Sequence, residues 1–446
     1  KRLSSDSTNA EATNAQSLTA FNSDGFSLGN EQAVNENNAT YVAWAWNAGA
    51  NSNKTYTVKV VSDSGNKYRF DNFGTSAVTL DLQEGSTYVF DQSDSSNAGH
   101  PIRFGTSANA TDYTTGVTHT GTPGSAGAKT TLVLGTGVAT LYYSCANHSG
   151  MGGQINTNST AGASNFDGDV QTTVKANQEY GFSIVSFTAG GSYGMRSFGH
   201  GLGATPSLVI TKRIESTGDW LVHTNATGSI VMLKLNGNDA AVTGSSATNY
   251  YSVNSSAFSL YHGHYMDNGW TFINYCWSEI SGYSKFSSYT GSGSSGNTVI
   301  TGFKPRFLMI KRTDTTGNWW IWDTERGNNK FLYADQSTGG NANDALVGSY
   351  PINATNTGFS IDNTADLNTS GGSYIYMAFA GTPPGEIIDS LIDTPTNITA
   401  DSGNNPGNYC TWNPLKQASG TYTEGNLQIA TSSGNKHYKA TLGLTS

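Results

Sequence analysis

Four side chains carry the clearest chemistry in this sequence of 446 residues. Cys145-Ala-Asn-His148-Ser-Gly-Met151 puts a thiol, an imidazole and a thioether into one short loop, and Ala98-Gly-His100-Pro101 supplies a second imidazole upstream. One thiolate, two imidazoles and a weak axial thioether are the donors of a blue-copper electron-transfer site. A tight loop leaving a strand can turn Cys145, His148 and Met151 toward one ion, while His100 arrives from another strand pair. Zinc is served less well, because a thioether is a poor zinc ligand and only Cys145 and the two histidines would remain. The bland alternative is that the four residues pack a loop and hold no metal.

The elements around these residues have the pattern such a site needs. Thr140-Leu-Tyr-Tyr-Ser-Cys145 alternates, so Leu141, Tyr143 and Cys145 share one face of a strand. Glu84-Gly-Ser-Thr-Tyr-Val-Phe90 reads as a turn entering a strand, and Ile102 and Phe104 continue the alternation after His100. In these residues the chain resembles the cupredoxins over residues 55–158, and its Cys-x2-His-x2-Met loop resembles the short loop of amicyanin. The resemblance implies a Greek-key β-sandwich with copper held by His100, Cys145, His148 and Met151. One position departs from it. Cupredoxins usually follow the first histidine with a polar residue that ties the two ligand loops together, and Pro101 has no N–H for that purpose.

Length and composition set the frame for that segment. The chain is too long for one ordinary core, so several domains are expected. It holds 53 glycines but only 23 lysines and arginines, and amphipathic helical spacing is nearly absent. Short β-branched and aromatic runs between Gly, Asn and Ser clusters predict an all-β protein. The net charge of −9, with no basic run, argues against a nucleic-acid partner. No apolar run reaches membrane-spanning length, so no membrane insertion is expected. Cys145, Cys276 and Cys410 give no disulfide framework. A Cys276–Cys410 pair stays open, with a buried free thiol the favoured reading of Cys276 in its aromatic run.

The sequence also repeats itself. Tyr180-Gly-Phe-Ser-Ile-Val-Ser-Phe leads to Pro206-Ser-Leu-Val-Ile-Thr-Lys212-Arg213, and Tyr283-Ser-Lys-Phe-Ser-Ser-Tyr leads to Pro305-Arg-Phe-Leu-Met-Ile-Lys311-Arg312. A Thr-Gly turn and tryptophan follow each, Trp220 in the first copy and Trp319, Trp320 and Trp322 in the second. The closing half-unit occurs three times: Phe26-Ser-Leu28 with Tyr41-Val-Ala-Trp-Ala-Trp46, Phe258-Ser-Leu260 with Ile273-Asn-Tyr-Cys-Trp277, and Phe359-Ser-Ile361 with Tyr374-Ile-Tyr-Met-Ala-Phe379. Residues 1–50 therefore read as the C-terminal part of a first β-sandwich repeat whose front is missing. Residues 178–280 and 281–381 read as a second and a third repeat. The cupredoxin-like segment 55–158 is inserted between them, with Gly/Ser/Asn-rich linkers near 47–54 and 158–170. In a strand such as Leu308-Met-Ile-Lys-Arg312, Leu308 and Ile310 should be buried and the charges should flank the edge. Residues 386–446 look like the start of a further β-rich domain, concanavalin- or SPRY-like. The fold class expected is all-β: tandem β-sandwich repeats with an inserted cupredoxin-like sandwich.

The repeat phrases give a second resemblance, to large virion structural proteins of marine tailed phages, cyanophages included. It implies a fibre, spike or head-surface protein on the virion, contacting other virion proteins and a host surface glycan, with no catalytic residue. Repeated sandwiches with exposed edges gain by packing around an axis, so a homo-oligomer is expected, a trimer among its forms. The rival expectation is a secreted or periplasmic blue-copper electron-transfer protein, and the least supported is a polysaccharide depolymerase. For the last, Asp323 and Glu325 are the best local carboxylate pair, flanked by aromatics that could stack on sugar. The competing reading pairs them with Arg326 or Arg312 at the surface. Trp220, just after a turn, is the nearest tryptophan to a sugar-stacking platform, although most tryptophans here should be core. His200, His262 and His264 suggest a second metal cluster only weakly, and turn histidines are the better reading.

Overall fold

The computed structural model describes residues 1–22, 25–328, 330–336 and 352–381. The expected domain at 386–446 and Cys410 lie outside the described residues. The architecture is all-β, built from sandwiches of antiparallel and mixed sheets. Among the described residues no helix is long and apolar enough to cross a membrane.

The inserted sandwich has a five-stranded and a four-stranded sheet. The first runs Asn66–Phe70, Lys54–Ser62, Thr87–Asp91, Lys129–Val133, Val117–Thr120. The second runs Leu80–Gln83, Gly153–Asn158, Leu141–Cys145, Ile102–Gly105. Inward positions alternate with half-exposed ones, as period-2 strands require. The core is an aromatic stack in which Tyr56, Tyr68, Phe70, Tyr88, Phe90, Phe104 and Tyr143 are all at most 1% exposed.

The two later units share one strand order. In the first, Phe182–Thr188, Thr271–Trp277, Leu208–Arg213, Trp220–Thr224 and Val231–Lys234 run side by side, faced by Gly194–Gly199, Ala257–His262 and Tyr251–Val253. In the second, Ser284–Thr290, Ser373–Ala380, Pro305–Arg312, Trp319–Asp323 and Leu332–Tyr333 follow the same order, faced by Asn297–Ile300, Gly358–Ile361 and Ile352–Thr355. Each sandwich closes over its own core, one around Phe258 and Leu260, the other around Phe359 and Ile361. The outer faces of the two large sheets pack on each other through Leu208, Ile210, Trp220 and Trp277 against Phe307, Met309, Trp319 and Phe379.

Several expectations need correction. The stretch 158–170 is not simply a linker: Ala163–Asn165 and Thr172–Asn177 are strands that extend the large sheet of the unit expected to begin at 178. Their buried polar residues hid them, because the hydrogen bonds that satisfy those groups come from residues distant in sequence. Thr172 donates to the Gly199 carbonyl at 3.0 Å, and the Ser164 hydroxyl accepts from the Asp81 N–H at 2.8 Å. Tyr41–Trp46, alternating like its two counterparts, is not a strand. Leu308 and Ile310 are buried as expected, but so is Lys311, and Lys212 with it. Trp220 is 6% exposed within its strand and offers no sugar platform.

Candidate metal centre

The thiol and both imidazoles converge. Cys145 closes the strand Leu141–Cys145, which pairs with Ile102–Gly105 so that Cys145 lies opposite Ile102, just after His100. From the Cys145 Sγ it is 3.8 Å to His100 Nδ1 and 3.6 Å to His148 Nδ1. The two imidazole rings lie 4.6 Å apart, and the three ligand atoms are within 4.8 Å of one another. A metal bonded to sulfur at about 2.3 Å and nitrogen at about 2.0–2.1 Å separates those donors by roughly 3.5–3.8 Å at angles between tetrahedral and trigonal. The observed separations are those of a preformed three-donor site. Cys145 is buried, His100 half-buried and His148 exposed, so the site sits at the rim of the sandwich.

Met151 follows in the same loop, 1% exposed and part of the core that also contains Cys145. Its carbonyl accepts a hydrogen bond from the Tyr68 N–H at 3.0 Å. Gly152 makes that return possible. A Cβ there would lie 1.7 Å from the Tyr143 carbonyl oxygen, so any side chain would push the loop off its strand.

Pro101 does not leave the two loops untied. Its carbonyl accepts from the Ala146 N–H at 3.0 Å, and the Asn147 amide donates to the Gly99 carbonyl at 2.8 Å. The missing N–H is thus replaced by a carbonyl and by a side chain of the cysteine loop. Beneath His100, its backbone carbonyl accepts from the Tyr68 hydroxyl at 2.8 Å and from the Gln92 amide at 2.8 Å. Such supporting bonds fix ligand orientation. Partial burial, and then the neighbouring His148, lower the pKa of His100, which favours the neutral imidazole that a metal needs. Burial raises the pKa of Tyr68 well above the ordinary phenol range, with the adjacent Cys145 adding to the shift. Tyr68, Gln92 and Asn147 were not found from the sequence. Asn147 lies between two ligands and carried a positional signal, whereas Tyr68, on another strand, and Gln92, just past the end of Thr87–Asp91, carried none.

The other candidates separate. Asp323 forms a buried ion pair with Arg326 at 2.7 Å, with 3% and 12% of the two side chains exposed, so the surface pairing expected for it is corrected. Glu325 pairs with Arg306 at the surface, and Arg312 pairs with Asp314. His200 is buried in hydrogen-bond contact with the Asn254 carbonyl and accepts from the Leu202 N–H. His262 is buried on a strand rather than in a turn. Among the described residues, His100, Cys145 and His148 form the only cluster of three such ligand atoms. Cys276 is a buried free thiol, its pKa raised by burial.

Fold and site together define a multi-sandwich β protein with a cluster of one thiol and two imidazoles at the rim of an inserted sandwich. The chain belongs to the family of a domain of unknown function, DUF7483, which matches residues 1–81 and 154–383. All four expected metal ligands fall in the stretch between the matched parts, so family membership assigns them no role. No curated protein and no solved structure matches the chain.

Proposed function

We propose that this chain is a non-enzymatic structural and display protein of a phage virion, a fibre, spike or head-surface component. Stacked sandwich units form its support, and the inserted sandwich is mounted on them. The viral setting rests on the resemblance of the repeat phrases. The structural role rests on one observation, the joint between units. The Trp319 indole N–H donates to the Lys234 carbonyl at 2.8 Å, the Gly317 N–H to the Asn238 carbonyl at 2.8 Å, and the buried Lys311 ammonium to the Asp239 carbonyl at 2.8 Å. The joint pairs unlike faces, and the units close around one shared core, because the Ser5 hydroxyl donates to the Ala334 carbonyl at 2.7 Å and Trp46 packs against Phe307 and Phe379. Further copies of the chain and other virion proteins are the natural partners for exposed sheet edges, and a host surface glycan is the proposed target of display.

The rim site is proposed to hold copper through His100, Cys145, His148 and Met151. Copper there would supply one-electron chemistry, and metal held only by the native state would add its binding energy to folding. Cys145 would give the thiolate, His100 and His148 the imidazoles, and Tyr68 and Gln92 would hold His100 in place. Exposure of His148 beside the buried thiol also favours the second reading, an exported electron-transfer protein, because a redox partner could reach the ring.

Antibodies against the chain, applied to intact purified particles in electron microscopy, test the choice. Regular surface labelling is the expected result. A chain absent from particles, recovered free in an exported fraction and exchanging electrons with a redox partner, would replace the first reading with the second.

A further inference from the structure

We infer that residues 1–46 are the closing half of a sandwich unit whose exposed face takes up the opening-half strands of another unit of the same repeat. The inference does not depend on the viral setting or on the metal.

The identity of this half-unit is written in its hydrogen bonds. Isolated bridges join Arg2 to Ala12, as they join Met232 to Val242 in the complete unit. The Trp220 indole N–H donates to the Ser4 carbonyl at 2.9 Å, as Trp319 does to Lys234 at 2.8 Å. The Gly218 N–H donates to the Thr8 carbonyl at 2.8 Å, and the Gly317 N–H to the Asn238 carbonyl at 2.8 Å. The Lys212 ammonium reaches that same Thr8 carbonyl at 3.4 Å, and Lys311 reaches Asn238 at 3.4 Å. The Glu11 N–H donates to Ile214 at 2.8 Å, and the Ala241 N–H to Thr313 at 2.9 Å. Residues 1–12 thus meet the second unit as residues 231–242 meet the third.

The equivalence continues along the chain. The hairpin Leu18–Phe21 with Phe26–Leu28 pairs Leu18 with Leu28 and Phe21 with Phe26. Its counterpart pairs Tyr251 with Leu260 and Val253 with Phe258. Burial, however, is reversed. Phe258, Leu260, Phe359 and Ile361 are 0% exposed, whereas Phe26 is 43%, Leu28 39%, Leu18 41% and Phe21 78% exposed. Tyr41 is 52% exposed, while Phe272 and Tyr374 at the matching positions are 3% and 1% exposed. Ala45 is exposed where Cys276 and Ala378 are fully buried.

The missing neighbour is identifiable from the complete units. Thr271–Trp277 is flanked by Phe182–Thr188 and Leu208–Arg213, and Ser373–Ala380 by Ser284–Thr290 and Pro305–Arg312, all opening-half strands. Among the described residues Tyr41–Trp46 has neither flank, and it forms no strand, although its alternation suits one. Its other face is already placed. Trp46 packs edge-on against Trp277, Phe307 and Phe379, on the side turned to the following units. The occupant that fits is therefore a sheet with the Pro-x-Leu-Val-Ile-x-Lys-Arg and Thr-Gly-x-Trp pattern of an opening half, adding antiparallel strands to both sides of Tyr41–Trp46.

The test adds a second copy of residues 178–230 ahead of Lys1 in the full chain and measures amide hydrogen exchange. Exchange at 41–46 should slow by at least about 100-fold, as expected when a fluctuating segment joins a sheet. Binding of an apolar fluorescent dye should fall in parallel. Ala45→Glu in the extended chain should abolish the new protection and leave exchange in 284–312 unchanged. A synthetic peptide of residues 204–214, added to the unmodified chain, should protect 41–46 where a scrambled peptide does not. Fast exchange at 41–46 with both the added copy and the peptide overturns the inference. So does protection in the unmodified chain that grows with its own concentration, which would make the same exposed face of a second copy the occupant, since this chain's own opening halves are already paired in their sandwiches.

Discussion

Replacing Lys311 by methionine probes the joint between the two complete units. The ammonium is fully buried and donates to the Asp239 carbonyl at 2.8 Å and the Arg312 carbonyl at 2.7 Å. The Asn238 carbonyl keeps the Gly317 N–H if the lysine is lost, but the Asp239 carbonyl loses its donor. Losing a hydrogen bond donated by a charged group costs about 2 kcal/mol. Methionine offsets part of this by carrying no charge out of water, leaving a net loss of about 1 kcal/mol at pH 7. The pH dependence is the sharper signal. Burial pushes the Lys311 pKa from 10.5 down to about 8, against the opposing pull of Asp335, Asp239 and Asp314. Between those values the unfolded chain binds more protons than the folded one, so stability rises with pH across that window. The full shift corresponds to roughly 3 kcal/mol, of which about 2 kcal/mol should be present by about pH 9.5. Urea unfolding of the parent chain and Lys311→Met at about pH 7 and 9.5, followed by tryptophan fluorescence, measures it. The gap between them should widen from about 1 to about 3 kcal/mol. A gap that stays constant with pH would refute the claim that this amine is held in a desolvated joint.

Four further outcomes are expected. Cys145→Ser should abolish the intense visible thiolate-to-copper band that copper addition produces in the parent chain, and with it any rise in melting temperature. At copper a thousandfold above the dissociation constant, that rise represents about 4 kcal/mol. Gly152→Ala, which drives a methyl group into the Tyr143 carbonyl, should weaken copper binding at least about 10-fold and lower domain stability by about 2 kcal/mol, measured by titration and melting. Asp323→Asn leaves the Arg326 guanidinium without its buried carboxylate and should cost about 3 kcal/mol in urea unfolding. Glu325→Gln, at an exposed pair, should cost less than about 1 kcal/mol.

The sequence by itself determined the all-β class, because short alternating runs between Gly, Asn and Ser clusters leave no helical stripe to bury. It also determined which residues to watch at the rim site, since Cys145, His148 and Met151 lie so close together that one loop must carry them. The repeats were legible for the same reason: Lys212 and Lys311 sit at matching places in matching phrases. Tertiary structure alone decided what those lysines do. A basic residue near a strand end reads as an exposed charge, and only the approach of Thr8 or of Asn238 and Asp239 from the preceding unit buries it. The strands at 163–177 were likewise hidden, because buried Ser164, Asn165 and Thr172 look like linker until their hydrogen-bond partners are in place. Tyr41–Trp46 shows the converse. Its alternation carries a local preference for strand, but a strand inside a sheet exists only when neighbours complete its hydrogen bonds, and those neighbours are distant in sequence or supplied from elsewhere.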